Sequence, residues 1–229
     1  MLTKTQGIVI SYIRYGETSI IVKIFTRELG LKAYIVNGVR SSKAKSKMGF
    51  YQPLTLLELV VYDKENSKLN RISEIKLAKA FQRIPFDFLR SGIAMFIAEA
   101  LGKSIYEGYQ NESLFDYLMD AIQLLDEEKA RLSHYPIAFL WETSRYLGFA
   151  PDDANEFFEE LKENLTKQID WDPEIRYLNQ LITDSFNFNE KIPAIIRKNL
   201  LDHMLIFYSK HLEQQSEWKS VKVLRQMMG

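Results

Sequence analysis

The spacing of apolar residues changes once along this chain, close to Pro85, and that change limits the folds that the chain can adopt. Before it, short runs rich in β-branched and aromatic residues are separated by turns that contain glycine, which is typical of β-strands. After it, apolar residues recur every three or four positions, which is typical of amphipathic helices. The pattern predicts an α+β chain with a strand domain in residues 1–82 and a helical domain in residues 83–229.

Five strand-like runs fall in the first part. Gly16 and Gly30 lie at the turns after the first two runs. The apolar residues of the fifth run alternate only loosely, so its ends are poorly defined. The runs cover residues 7–14, 19–26, 31–36, 54–62 and 69–80. Five strands in so short a segment match a small closed barrel such as an OB-fold, although an SH3-like barrel would give much the same pattern.

The second part has the features of an all-helical domain. Gly148 follows one helical pattern and is suited to end that helix. Pro173 and Pro193 lie at the beginning of two later patterns, where proline is well tolerated. The predicted helices cover residues 86–109, 112–126, 135–147, 192–212 and 218–228, with two more that begin near residues 151 and 172.

The net charge is zero for the whole chain but not for its two parts. Residues 1–82 contain 14 Lys and Arg against 6 Asp and Glu, a net charge of +8. Residues 83–229 contain 16 against 24, a net charge of −8. Opposite charges suggest that the two parts contact different partners.

The absence of cysteine excludes a disulfide framework, a Cys-ligated zinc site and a thiol nucleophile, and it agrees with a reducing compartment. The short apolar run at residues 7–13 meets Arg14 and has no cleavage site after it, so we expect no signal peptide. No run approaches the ~18 apolar residues of a membrane span. We therefore expect a cytoplasmic protein without a membrane partner.

Patterns for catalysis and metal binding are scarce. His203 and His211 are eight residues apart, about two helical turns, which is too far to share a metal. The acidic clusters at residues 126–128 and 159–160 have no histidine beside them and are typical of solvated helix faces. There is no glycine-rich phosphate loop and no nucleophile elbow. We predict a binding protein without cofactor, metal or catalytic residues; an enzyme with an unrecognised carboxylate site is one alternative.

Residues 37–49 contain four positive charges and no negative one. Lys43, Lys45 and Lys47 are two residues apart, so in an extended loop their ammonium groups would point to one side and suit a line of phosphates. An ordinary solvated loop is the alternative. The predicted DNA-binding residues are Arg14, Lys23, Arg27, Lys32, Arg40, Lys43, Lys45 and Lys47. The aromatic residues of the same part that are candidates to stack on bases are Tyr12, Tyr15, Phe25, Tyr34, Phe50 and Tyr51.

Several motifs occur in a fixed order along nearly the whole chain. In the first part they are Gly-Ile-Val-Ile at 7–10, Arg-Tyr-Gly-Glu at 14–17, and the segments 24–30, 38–43 and 52–58. In this order they resemble the N-terminal domain of the RecO family. Residues 139–151, which end in Leu-Gly-Phe-Ala-Pro, and residues 197–212 and 218–224 are similar to the helical domain of that family.

The resemblance implies an OB-fold followed by a helical domain, in a recombination mediator of DNA repair that works in the cytoplasm and associates with the nucleoid. It implies binding of single- and double-stranded DNA, annealing of complementary strands, and joint action with RecR. It also implies displacement of single-stranded-DNA-binding protein (SSB), so that RecA can load. An RNA- or ribosome-associated OB-fold protein is the alternative binding function.

Two further expectations depend on the resemblance. Many relatives carry a four-cysteine zinc site that begins near the segment after Pro151, where this chain has Asp152 and Asp153, so zinc is not expected here. Relatives also recognise the acidic tail of SSB, for which the candidate cations in this chain are Arg197, Lys198 and Lys210.

Overall fold

The protein is described from a computed structural model that defines residues 1–64, 67–162, 171–213 and 217–227. The side chains of residues 42–46 and 227 lie outside the described part. Five strands are followed by seven α-helices in these residues. The change from strands to helices falls between residues 77 and 88, so the predicted α+β fold class is confirmed.

The strands form a closed barrel in the order β1-β2-β3-β5-β4. All neighbours are antiparallel except β3 and β5, which are parallel. The strands are β1 (Leu2–Tyr15), β2 (Ser19–Thr26), β3 (Gly30–Val36), β4 (Leu56–Tyr62) and β5 (Asn70–Leu77). This is the OB-like barrel that the sequence predicts.

β1 serves two sides of the barrel and is longer than the sequence suggests. Its first half pairs with β4, from Leu2 opposite Tyr62 to Ile8 opposite Leu56. Its second half pairs with β2, and the register shifts between Val9 and Ser11. A bulge at this point bends the strand and increases its twist, which lets one strand continue from one barrel wall into the next. The side chains that fill the barrel include Val9, Ile20, Val22, Ile24, Tyr34, Leu57, Leu59 and Val61.

A 3₁₀ helix, Ser42–Tyr51, connects β3 to β4. The expectation of an extended loop in this segment is therefore wrong. Met48, Phe50 and Tyr51 pack against the core of the barrel, and Tyr51 is almost fully buried. These apolar residues fix the end of the segment to the barrel, whereas the sequence had suggested Phe50 and Tyr51 as candidates to stack on bases.

The helical part begins with α1, whose first turn is capped by Asp87 through a hydrogen bond from the backbone N–H of Arg90. Asn111 caps α2 in the same way, and Gly148 ends α3 at a φ of 83°, as the sequence predicts. The helices are α1 (Phe88–Ser104), α2 (Glu112–Leu125), α3 (Tyr135–Leu147), α4 (Ala154–Lys162), α5 (Asp172–Asp184), α6 (Ala194–His211) and α7 (Lys219–Met227). Within the described ranges, no helix is both long and apolar enough to cross a bilayer.

The barrel and the helices share one continuous apolar core. Ile8, Phe25 and Leu31 of the barrel wall belong to the same buried cluster as the helical residues. The ring of Phe25 lies 5.8 Å from that of Phe115, measured between centroids. At about 25 cal/mol per Å² of apolar surface, a side chain the size of Phe contributes on the order of 2–3 kcal/mol when it is fully buried. The two parts therefore stabilise each other.

The loop before α2 is joined to β3 through its backbone. The N–H of Leu31 donates to the carbonyl of Tyr109 at 3.0 Å, and the N–H of Gly108 donates to the carbonyl of Leu31 at 2.8 Å. Gly30 has a φ of 69°, and a Cβ at this position would lie 2.3 Å from the carbonyl oxygen of Tyr109. Only glycine satisfies both the backbone conformation and this close approach.

The linker between β5 and α1 is fixed by Asp126, at the end of α2. Its carboxylate accepts hydrogen bonds of 2.8 Å from the backbone N–H groups of Gln82, Arg83 and Ile84. Burial alone would raise the pKa of Asp126, but these three hydrogen bonds together lower it below its ordinary value. The buried Arg90 donates to the carbonyl of Leu125 at 3.0 Å and so holds the same helix end.

Candidate nucleic-acid interface

The turn between β1 and β2 lies beside the segment that follows β3. The backbone N–H of Arg40 donates to the carbonyl of Thr18 at 2.9 Å, and its guanidinium donates to the carbonyl of Gly16 at 3.2 Å. Gly16 adopts a φ of 56°, which allows the tight turn. Arg14, two residues before Gly16, is exposed, so these contacts bring two of the predicted DNA-binding residues to one end of the barrel.

The predicted line of three lysines falls on a 3₁₀ helix rather than on an extended loop. Lys47 is exposed on the 3₁₀ helix, whereas the side chains of Lys43 and Lys45 lie outside the described residues. Lys47 is therefore the lysine of this segment whose side chain the structure describes, and the row of three lysines stays a prediction.

Lys23 lies on the outer side of the sheet formed by β1, β2 and β3. Residues directly opposite each other in paired strands share one face. Lys23 is opposite Ser11 and Ala33, and it is exposed. Arg14 is opposite Ile20, which lines the barrel interior, so Arg14 lies on the other face of β1 at the barrel rim. The predicted cations therefore do not form one continuous surface.

Arg27 forms ion pairs within the protein. Its guanidinium donates two hydrogen bonds to Asp116, at 2.8 and 3.0 Å, and lies 2.9 Å from Glu112. The hydrogen bond to Asp116 raises the pKa of Arg27 and lowers that of the Asp116 carboxyl. Because its charge is balanced by two carboxylates of α2, we interpret Arg27 as a link between the barrel and the helices and remove it from the candidate interface.

Lys32 is also engaged inside the protein. It lies opposite Ile24, on the face that lines the barrel, and it forms an ion pair with Asp63 just after β4. The two side chains are each about one quarter exposed. Lys32 was predicted to be a surface cation because the sequence does not show which face of β3 is turned to the barrel interior.

Of the six aromatic residues that are candidates to stack on bases, one is exposed and therefore available to a ligand. Phe25, Tyr34 and Tyr51 are buried, and Tyr12 and Phe50 are half-buried against the barrel core. Tyr15 is 51% exposed on the outer side of β1. The strand alternation places it on the same face as Ile13, which is 62% exposed. The face that contains Ile13 and Tyr15 was not identified from the sequence.

The histidines of the helical part are held by neighbours within the protein. His134 lies 2.7 Å from the hydroxyl of Tyr177, and burial together with the nearby Arg197 lowers its pKa to about 4. His203 lies 2.9 Å from a carboxylate oxygen of the buried Glu174. In the described part of the chain, no group of three or more His, Asp or Glu side chains is arranged to hold a metal ion.

Two cations suggested for a protein partner also have internal contacts. Arg197 donates to the carbonyl of Ile192 at 2.8 Å, and Lys210 lies 3.1 Å from a carboxylate oxygen of Glu160. Lys198 is half-buried on α6. These contacts occupy groups that would otherwise meet an acidic peptide.

The fold and the candidate interface define a class of protein. A closed five-stranded barrel of OB-like topology, with cations at one end and an uncovered sheet face, is an arrangement used by proteins that bind oligonucleotides. Two family models match the chain, described as recombination protein O N terminal, over residues 1–81, and recombination protein O C terminal, over residues 85–220.

Curated relatives agree with the family models. The chain is 37% identical to the DNA repair protein RecO of Flavobacterium psychrophilum and 36% identical to that of Flavobacterium johnsoniae, and both matches cover the full length of both chains. It is 31% identical to the DNA repair protein RecO of Christiangramia forsetii, again over both full lengths. The chain belongs to the RecO family of DNA repair and recombination proteins.

Proposed function

We propose that this protein is a recombination mediator that binds single- and double-stranded DNA through the basic end of its barrel. The observation that carries the proposal is the grouping of Arg14 and Arg40 at the β1–β2 turn, with Lys47 on the following 3₁₀ helix. Lys23, on the outer face of the sheet, is proposed as a separate phosphate contact. Lys43 and Lys45 remain predicted members because they belong to the same segment.

Phosphate contacts account for the general affinity. Each neutralised phosphate releases condensed counterions, so binding is strong at low salt and depends little on sequence. A surface that screens the backbones of two strands, while their bases stay free to pair, promotes the annealing that we propose for this protein. Annealing of this kind needs no catalytic group, and we propose that the protein is not an enzyme.

The helical domain is proposed to dock proteins rather than DNA. Residues 83–229 have a net charge of −8, which repels a polyanion. Membership of the RecO family supports RecR and SSB as the partners, and loading of RecA on SSB-coated DNA as the outcome. We propose that these steps take place in the cytoplasm, at the nucleoid.

The salt dependence of DNA binding tests the proposal. We expect Lys47→Ala to weaken binding of a single-stranded oligonucleotide and to lower the slope of log K against log salt by about 0.7, the contribution of one phosphate contact on a single strand. Combining it with Lys43→Ala and Lys45→Ala should lower the slope further. Lys129→Ala, an exposed lysine of the acidic domain, is the matched control and should leave the slope unchanged.

Arg40→Ala is less informative, because Arg40 also anchors its segment to Gly16. Affinity at low salt that is unchanged in the triple lysine variant would exclude this segment as the main contact.

Competition between single-stranded DNA and RNA of the same sequence distinguishes the alternative function, an RNA-associated barrel protein, which would favour the RNA.

A further inference from the structure

Large apolar side chains are exposed where the linker between β5 and α1 meets the first helix. Phe86 and Phe88 are 84% and 77% exposed. Met95 is 56% exposed, and it lies seven residues after Phe88 on α1, which places both on one side of the helix. Leu77, at the end of β5, is 45% exposed. We refer to Leu77, Phe86, Phe88 and Met95 as the linker patch.

A cavity of about 480 Å³ opens within the linker patch. Leu77 and Met95 lie in its wall, and so does Pro85, the residue before Phe86. The other apolar side chains of the wall come from the segment before β4, from the linker and from α1; they are Pro53, Ala80, Phe81, Ile84 and Ala94. An apolar cavity of about 150 Å³ is large enough to bind benzene, so this cavity can receive an aromatic side chain.

The exposed area of the patch is large enough for the centre of a protein interface. A Phe side chain buries about 150–250 Å² when it is fully covered, so the exposed parts of Phe86 and Phe88 amount to roughly 300 Å² per chain. Two copies that covered these rings would bury about 600 Å², roughly half of the ~1,200 Å² at which specific interfaces begin. Leu77, Met95 and the cavity wall lie beside the rings and supply further area.

The charges around the patch favour a second copy of this chain over an acidic peptide or a polyanion. Among the described residues, the cavity wall contains no carboxylate and one cation, Lys79, whose ammonium donates to the amide oxygen of Gln123 at 3.1 Å. The other two charged residues of the linker belong to ion pairs, Arg83 with Glu128 and Asp87 with Arg90. A surface of one charge would repel its own copy, whereas a neutral apolar surface does not.

The projecting ring and the cavity belong to one patch, which makes the surface self-complementary. In a dimer with twofold symmetry, each contact between one residue and another occurs twice, with the two copies exchanged. A twofold axis through the linker patch therefore lets Phe86 of each copy enter the cavity of the other.

We propose that the protein forms a symmetric dimer through the linker patch, in which Phe86 of each copy fills the cavity beside Met95 of the other. The cavity is then complete only in the dimer, because the second copy supplies the ring that occupies it. This assembly goes beyond the proposed function and does not depend on DNA binding. It brings two basic barrels into one particle, an arrangement that suits the annealing of two strands.

Sedimentation velocity of the full-length wild-type protein tests the inference directly. We expect the sedimentation coefficient to rise from that of a monomer to that of a dimer between about 1 and 100 µM, because interfaces near the lower end of the standard size bind in the micromolar range. The dimer should persist in about 1 M NaCl, since salt screens charges and does not weaken apolar contacts.

Two complementary variants test the symmetry of the interface. Phe86→Lys brings an ammonium to the cavity and Met95→Glu places a carboxylate in its wall, so each alone should weaken the dimer by about tenfold or more. In an equimolar mixture, one contact joins the new Lys to the new Glu and the other keeps the native Phe and Met. Mixed dimers should therefore form at concentrations at which neither variant dimerises alone. Ile195→Lys is the matched control, since Ile195 is 64% exposed on α6, and it should dimerise like wild type.

The outcomes decide between the dimer and another use of the patch. Wild type that stays monomeric up to about 100 µM would overturn the inference and assign the patch to a different protein. A dimer that both variants leave intact, or a mixture that dimerises no better than its components, would also overturn it. Circular dichroism and the urea midpoint show whether each variant is folded. If a variant folds poorly, hydrogen exchange of wild type decides, because protection of residues 80–95 should rise with protein concentration, and protection that stays constant would contradict the dimer.

Discussion

A substitution at Asp126 measures how much its hydrogen bonds to the linker between the barrel and the helices contribute to the free energy of unfolding. In Asp126→Asn one of the two oxygens is replaced by an NH₂ group, so one N–H of the linker loses its acceptor and the other two hydrogen bonds lose the help of a charge. Hydrogen bonds to a charged group contribute about 1.5–3 kcal/mol and neutral ones about 0.5–1.5 kcal/mol. After allowance for the cost of burying the charge, we expect a loss of about 3 kcal/mol in the free energy of unfolding.

Urea unfolding at pH 7 measures this loss, with Asp120→Asn, an exposed carboxylate of the same helix, as the control. The control should change stability by less than about 0.5 kcal/mol. The pKa of Asp126 is lowered in the folded protein, so its stabilisation is complete above about pH 4, the ordinary aspartate pKa, and is lost as the pH falls further. The difference between wild type and Asp126→Asn should shrink below that pH. A difference no larger than that of the control, or one that stays constant down to pH 3, would refute this role of Asp126.

Two further predictions concern backbone strain and titration. Gly30→Ala should lower the free energy of unfolding by about 3 kcal/mol or more, because it combines a positive φ with a methyl group placed against Tyr109. Gly16→Ala, with a φ of 56° and open space around it, should lower the free energy of unfolding by only about 1–2 kcal/mol. Equal losses in urea unfolding would contradict the clash at Gly30. The stability of wild type should fall as the pH is lowered from 6.5 towards 4, because His134 has a pKa of about 4 in the folded protein and takes up its proton earlier in the unfolded chain. His134→Gln should remove this part of the pH dependence. An imidazole titration by NMR with a midpoint near 6.5 would contradict the burial of the ring.

Most of the element order was predictable because apolar periodicity reports which residues are buried. The prediction for residues 19–26 matches β2, and the prediction for residues 135–147 matches α3. Residues 2–6 of β1 were missed because Leu2 is their only strongly apolar residue, and because their pairing with β4 depends on a strand more than 50 residues away. The 3₁₀ helix was missed because the three apolar residues that anchor it all lie in its last four positions, a run too short to show a helical repeat.

The candidate interface was predictable in composition but not in geometry. The sequence identified the cations of the barrel, yet Arg27 and Lys32 have carboxylate partners at Asp116 and Asp63 that are distant along the chain. The exposure of Ile13 beside Tyr15 was missed for a related reason. Isoleucine in a strand is expected in a core, and only the register shows that Ile13 points away from it. The assignment of the remaining cations to DNA is a prediction that binding experiments must test.

The shared core has a consequence for how the two parts of this protein change over evolutionary time. Ile8, Phe25 and Leu31 pack in one core with helices that are encoded more than 50 residues later, so their shapes must fit those helices. A chimaera that joined this barrel to the helical part of a distant relative would leave mismatched surfaces on both sides of the junction. Substitutions on the two sides of that junction are therefore expected to occur in compensating pairs.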